Sequence, residues 1–168
     1  MAISMHSAGV PVYLKMLSSL SQWIDKAEAY AQAKNFDLSV LINARLAPDM
    51  LPFRSQVQIA CDSAKYGVAR LAGVDAPKFD DTEQSAAELK ARIAKTLDWL
   101  KSVPPAQVDG TEAKAVSVPR RAGEALRFDG ETFFKHYALP NFFFHVTTAY
   151  AILRHNGVAL GKADFLGR

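Results

Sequence analysis

Four long stretches of helical apolar periodicity constrain the fold of this 168-residue chain more than any other feature of its sequence. Apolar residues recur three or four positions apart in segments at about 11–33, 52–72, 82–103 and 131–156. Glycine or proline ends three of these segments, at Gly73, Pro104 and Gly157. The pattern predicts one all-α domain over residues 1–168, an antiparallel four-helix bundle.

The segments between and beyond these helices carry the turn and strand signals. Ala115–Val118 and Ala125–Phe128 flank a turn-rich stretch and predict a small β-hairpin before the last helix. Pro11 is expected in the first turn of the first helix, where its missing N–H has no partner anyway. Asp81 or Thr82 is expected to cap the third helix. The tail, 158–168, is expected to be irregular.

Composition and charge exclude several classes of protein. A single cysteine, Cys61, excludes an internal disulfide framework and a multi-cysteine zinc module, and it favours a reducing, cytoplasmic location. The net charge of +3 is spread along the helices, which argues against nucleic acid or a membrane surface as partner. The first residues lack the basic start of a signal peptide.

The last helix carries the most informative polar residues. Asn141 and His145 are four residues apart, so both side chains lie on one helix face among phenylalanines. A neutral imidazole there is a candidate metal ligand or general base. The alternative is a core histidine that hydrogen-bonds to a neighbouring helix.

The second helix supplies the candidate partners of His145. Gln58 and Asp62 share a face, and Asp62 either orients the imidazole or is solvated beside Lys65. His136 either folds over the end of the helices or faces water. The chain has no HxxxH or HExxH pair, so it contains no sequence signature for zinc.

Aromatic residues are unusually dense near the start of the last helix. There are more aromatic side chains here than one helix can bury in a single bundle, so part of this aromatic surface is a candidate homodimer interface. Ordinary core packing together with cover from the hairpin is the alternative. The aromatic residues are Phe133, Phe134, Tyr137, Phe142, Phe143 and Phe144.

The segment from His145 to Gly157 resembles the closing helix of the DinB/YfiT-like superfamily, with Arg154 and Gly157 at the same spacings from the histidine. Four further segments resemble a bacterial branch of that superfamily known as a domain of unknown function. They are Leu46-Ala-Pro-Asp-Met50, Gln56-Val-Gln-Ile-Ala-Cys-Asp62, Leu139-Pro-Asn-Phe142 and Gly161-Lys-Ala-Asp-Phe165. The resemblance covers nearly the whole chain.

The resemblance implies a metal site of which this chain keeps only part. Typical members hold a divalent metal with three inward histidines, and some act as thiol-dependent transferases or hydrolases. Only His145 matches; the second histidine position falls on Asn141 and the third near Gln58, with Asp62 one turn away. Amide side chains hold zinc or nickel poorly, so the absence of a metal is the favoured expectation. Asp62, His136 and His145 are the set that would rebuild a site.

Three functional hypotheses follow. The first is a divergent metal-dependent hydrolase or thiol transferase with a polar pocket around His145, Asn141 and Gln58. The second is a non-catalytic binding or stress-associated protein with a degenerate metal site, in which the polar residues fix the core register. The third is a pocket for a small apolar or amphipathic ligand, lined by the phenylalanines of the last helix.

Overall fold

The computed structural model describes residues 3–120 and 122–168, and helices dominate it. A two-stranded antiparallel hairpin precedes the last long helix, and a π-helical segment, Phe134–Ala138, leads into that helix. The elements are α1 (Met5–Lys34), α2 (Ser39–Asn43), α3 (Phe53–Ala72), α4 (Ala86–Ser102), α5 (Pro105–Val108), β1 (Ala115–Val118), β2 (Leu126–Asp129), α6 (Gly130–Phe133), α7 (Leu139–His155) and α8 (Lys162–Leu166).

The core lies between the long helices α1, α3, α4 and α7. α3 packs against α7 and α4, and α1 packs against α4 and α7. Burial of large apolar side chains supplies the main driving force for this arrangement. Fully buried aromatic residues come from three of these helices and from α6: Tyr13, Trp23, Phe53, Phe133 and Phe142.

The first helix begins earlier than its sequence suggests. Ser4 Oγ accepts a hydrogen bond from Ser7 N at 3.2 Å, and Ser4 N donates to Ser7 Oγ at 2.9 Å. This reciprocal capping box starts α1 at Met5. The prediction that Pro11 lies in the first turn is therefore wrong, and Pro11 lies inside the helix.

The cap of α4 is also not where the sequence suggests. Ser85 Oγ accepts from Glu88 N at 3.3 Å, and Ser85 N donates to Glu88 Oε2 at 2.9 Å. The prediction of Asp81 or Thr82 as the cap is wrong, because Ser85 and Glu88 form a capping box one turn later. Residues 74–84 consequently form neither helix nor strand, and we refer to residues 73–85 as the strap.

The hairpin prediction is confirmed to within one residue. β1 pairs with β2 from Ala115 opposite Asp129 to Val118 opposite Leu126. The prediction of an irregular tail is wrong, because the tail contains the helix α8. Gly161 N donates to Asp164 Oδ2 at 2.8 Å and so caps that helix.

α8 packs against α1 through Trp23. The indole N–H of Trp23 donates to Asp164 O at 3.2 Å, and the Phe165 ring stacks on the indole with the ring centroids 5.6 Å apart. In the described ranges, no helix is both long enough and apolar enough to cross a membrane.

Candidate functional site

His145 on α7 faces α3 and is held there by Gln56. Its Nδ1 lies 2.8 Å from Gln56 Oε1. The amide nitrogen of Gln56 donates to Leu51 O at 3.0 Å. Because a backbone carbonyl only accepts, it fixes the amide orientation and leaves Oε1 facing the imidazole. His145 Nδ1 must therefore carry the proton and donate to Gln56.

The proton on Nδ1 makes Nε2 the acceptor atom of the His145 ring, and no hydrogen bond to it forms among the described residues. Burial lowers the pKa of His145 below its usual value of 6.5, because the half-buried ring is partly removed from water. The imidazole is therefore neutral at pH 7. The geometry produces a basic nitrogen in a defined tautomer at the surface of the α3–α7 contact.

A second hydrogen bond crosses the same contact one turn away. Asn141 Nδ2 donates to Ser63 Oγ at 2.7 Å. Moving from residue 56 to residue 63 along α3 moves the partner from residue 145 to residue 141 along α7, so the two helices run in opposite directions. We call Gln56, Ser63, Asn141 and His145 the His145 row.

Gln58, the predicted partner of His145, has a different partner in the structure. It is buried, and its Nε2 donates to Glu83 Oε2 at 2.9 Å. Residues two positions apart on a helix point about 200° apart, so Gln56 and Gln58 face different neighbours. The heptad spacing of Gln56 and Ser63 is the sequence signal that would have placed these two residues on one face.

Asp62 belongs to a separate group of charges. Its Oδ1 lies 2.9 Å from Lys65 Nζ and 3.1 Å from Arg92 Nη2. Arg92 Nη1 donates to Glu83 Oε1 at 3.0 Å. Asp62 is thus beside Lys65, as one of the two alternatives expected; its side chain is 28% exposed, whereas Lys65 is fully buried. We call Asp62, Lys65, Glu83 and Arg92 the ion cluster.

The two cations of the ion cluster are buried to a degree that sequence reasoning missed. Lys65 is 0% exposed and Arg92 is 2% exposed. Burial alone would raise the pKa of Glu83, but hydrogen bonds from Gln58 and Arg92 outweigh it and hold that pKa below its usual value. The position of Arg92 beside Ile93 and three residues after Leu89, on the apolar stripe of α4, is the signal that pointed inward.

His136 lies apart from both groups. It is exposed on the π-helical segment. Among the side-chain hydrogen bonds of the described residues, none joins His136 to the His145 row. The structure therefore does not bring Asp62, His136 and His145 into one hydrogen-bonded set.

The donor set around His145 does not fit zinc or nickel. Its hydrogen-bonded partner is an amide oxygen, and that oxygen already accepts the imidazole N–H. Within residues 3–120 and 122–168, no three His, Cys, Asp or Glu side chains group in a way that could hold a metal ion. Zinc and nickel prefer imidazole or thiolate over amide and hydroxyl groups, so we derive no chemistry through a metal.

Apolar surface borders the His145 ring and its partner Gln56. Phe144 is 56% exposed, and its ring meets the His145 ring edge to face, with the centroids 5.2 Å apart. Leu51, whose carbonyl holds Gln56, is 48% exposed. By contrast, Phe142 is fully buried against Tyr13. The phenylalanines of α7 are thus divided between the core and the surface.

Comparisons with known proteins place the chain in a recognisable group. Residues 5–166 match the family described as a domain of unknown function, DUF1993. The chain is similar to a DinB family member protein from Shewanella denitrificans, solved by crystallography at 1.83 Å resolution. The identity is 46%, the TM-score is 0.88, and the match covers 97% of this chain and 92% of the other. No curated protein sequence matches the chain.

Proposed function

The chain belongs to the DUF1993 family, and from that starting point we propose that it is a metal-independent hydrolase or thiol transferase of DinB-like fold, with His145 as general base. The observation that carries the proposal is the chain of hydrogen bonds from Leu51 through Gln56 to His145. It supports a neutral imidazole whose Nε2 accepts a proton at pH 7.

The reaction assigned to His145 is a proton transfer coupled to bond formation. Nε2 takes the proton from a water or a thiol while the oxygen or sulfur attacks an electrophilic carbon of the substrate. The bond to the leaving group then breaks, and that group departs with the electron pair and receives the proton from Nε2. Gln56 stabilises the intermediate imidazolium by accepting from Nδ1.

The tautomer and the activity are the two properties to test. Long-range proton–nitrogen NMR should find His145 neutral at pH 7 with its proton on Nδ1. A panel of ester and thiol-transfer substrates should give turnover that survives a chelator and is lost in His145→Ala. His155→Ala, which removes an exposed histidine at the end of the same helix, is the matched control. A proton found on Nε2, or turnover unchanged in His145→Ala, would overturn the proposal.

Metal independence has its own measurement. A ligand at a hundred times its Kd stabilises by about 2.7 kcal/mol, which in a domain of this size raises Tm on the order of 5–10 °C. We expect no such rise with zinc, nickel, manganese or iron(II). A rise in the wild type that disappears in His145→Ala would show that the site holds metal after all.

A second candidate function, a non-catalytic binding protein, is favoured by a specific observation. Both hydrogen bonds of the His145 row cross from α7 to α3, which supports a role in fixing the register of two helices. We infer that the helices joined in this way, α1, α3, α4 and α7, form an antiparallel four-helix bundle, since each packs against at least two of the others. In that case His145→Ala lowers Tm and no substrate of the panel is turned over.

A further inference from the structure

The strap covers two buried cations on the opposite side of α3 from Gln56. The Phe79 ring lies over Lys65, with its centroid 3.8 Å from Nζ. The Asp80 carbonyl accepts from Arg92 Nη1 at 3.1 Å, and Asp81 Oδ1 lies 3.0 Å from Arg92 Nη2. With Glu83, these contacts place the strap directly on the ion cluster.

The strap changes the net charge around the two cations from positive to negative. Below the strap, Lys65 and Arg92 carry two positive charges against the single carboxylate of Asp62. The strap adds the carboxylates of Asp81 and Glu83. Without them, the floor of this site would hold a net positive charge in a largely buried setting, where charge is most costly to leave unpaired.

The buried cations also retain unused donors. Lys65 Nζ and Arg92 Nη2 lie close to carboxylates without hydrogen-bond geometry, and Arg92 Nε has no hydrogen-bond partner among the described residues. An ammonium offers three donors and a guanidinium five in a planar fork. Such a pair is suited to the several acceptor oxygens of a phosphate or a carboxylate.

We propose that Lys65 and Arg92 form a binding site for a small oxyanion, and that Asp81 and Glu83 of the strap occupy this site until the oxyanion displaces them. The strap carboxylates thus stand in for the ligand. Asp81 is the weaker of the two stand-ins, since its side chain is 63% exposed and its contact with Arg92 lacks hydrogen-bond geometry. This site is independent of the function proposed for His145.

A cavity beside the strap provides a route of entry. It has a volume of about 340 Å³ and lies between the strap and α4, with Arg92 and Phe79 in its wall. Lys78 and Lys95 line it and attract an anion, whereas the carboxylate of Asp80 opposes one. Two further acids line it: Glu88, which is hydrogen-bonded to the start of α4, and Glu83, which the oxyanion would displace.

The test compares phosphate binding between two double variants of equal charge. Calorimetric titration with inorganic phosphate is run on the wild type, on Asp81→Asn/Glu83→Gln, and on the control Asp49→Asn/Glu124→Gln, which removes two exposed acids elsewhere. Removing the competing carboxylates raises the fraction of open site, so the strap variant should bind about tenfold more tightly than the control. Succinate in place of phosphate separates the carboxylate from the phosphate preference.

Hydrogen exchange on the wild type adds a readout that needs no variant. Phosphate should increase amide exchange in residues 73–85, because the displaced strap is released, whereas chloride at the same ionic strength should not. Arg92→Lys in the strap variant keeps the charge but loses the fork, so it should weaken binding. Equal affinity of the two double variants, or phosphate binding with unchanged strap exchange, would overturn the proposal.

Discussion

A single amide decides the chemistry available to His145. Gln56 can present only its oxygen to the imidazole, because its nitrogen is committed to the carbonyl of Leu51. A carboxylate in place of the amide would instead favour the charged imidazolium. The choice of glutamine therefore keeps the ring neutral and its Nε2 basic near pH 7.

The lowered pKa of His145 makes stability depend on pH. Its folded-state pKa lies below the unfolded value, so the unfolded chain binds more protons between the two. The free energy of unfolding should therefore fall as pH is lowered through about 6.5, the unfolded pKa. Urea unfolding at pH 7.5 and 5.5 should show a smaller loss in His145→Gln, which cannot titrate but still offers an N–H to Gln56. An equal loss in both proteins would contradict this expectation, and His155→Gln is the control.

The polar character of the site could be predicted from the sequence, but its partners could not. Helical spacing places His145 and Asn141 on one face of α7, and the structure keeps both at the contact with α3. The choice between Gln56 and Gln58 depends on the rotation of α3 about its axis. Two residues of the same type on opposite faces leave that rotation undetermined.

At the scale of single elements, α7 has a core side and a solvent side, and both carry phenylalanine, so residue type alone does not distinguish them. Phe142 is 0% exposed and Phe144 is 56% exposed, two positions apart in the same run of phenylalanines. Phe142→Ala should cost about 3–5 kcal/mol of unfolding free energy, because it leaves a cavity against Tyr13. Phe144→Ala should change stability by less than about 0.5 kcal/mol. Urea denaturation of the two variants measures the contrast, and similar costs would refute it.

The cap of α4 offers a second matched pair of variants, one at the observed cap and one at the position predicted from the sequence. Ser85→Ala removes the side chain that accepts from Glu88 N, so it should cost about 1 kcal/mol. Thr82→Ala, at the position that the sequence suggested as the cap, should be nearly neutral because Thr82 is exposed outside the helix. Thermal unfolding of the two variants distinguishes the alternatives; a larger loss in Thr82→Ala would favour the earlier start.

Element boundaries were predictable where one residue type decides them. Gly73, with φ of 72°, ends α3 as expected, because only glycine enters the left-handed region without cost. The start of α4 was not predictable, because Asp81, Thr82 and Ser85 can all cap a helix. Only the reciprocal hydrogen bonds between Ser85 and Glu88 select Ser85.

At the scale of the whole molecule, Arg92 joins three parts of the fold. It contacts Asp62 on α3 and Glu83 on the strap from its own place on α4. Arg92→Met should cost about 1–3 kcal/mol, because Asp62 and Glu83 lose a charged partner but are partly exposed and keep Lys65 and Gln58. Urea denaturation with Lys101→Met as control, whose ammonium lies 3.8 Å from Asp98 on the exposed side of α4, measures the difference. A loss no larger than that of the control would mean that the cluster is not structurally important.

The helical fold with its inserted hairpin could be inferred from periodicity, whereas the ion cluster could not. Buried apolar residues repeat every three or four positions along a helix, so their spacing in the sequence identifies them. Arg92 lies on the apolar stripe of α4, but its carboxylate partners come from α3 and the strap and cannot be identified from that stripe. Lys65 looks like a surface residue paired with Asp62 on its own helix, although it is fully buried.

The stacking of Phe165 on Trp23 gives the protein a built-in optical reporter. Trp23 is one of two tryptophans and is almost completely buried beneath α8. In a Trp99→Phe background, its fluorescence reports whether α8 is docked, while circular dichroism reports the long helices. If the two signals change at the same denaturant concentration, α8 unfolds with the core as one cooperative unit. If fluorescence changes first, the tail detaches as a separate unit of lower stability.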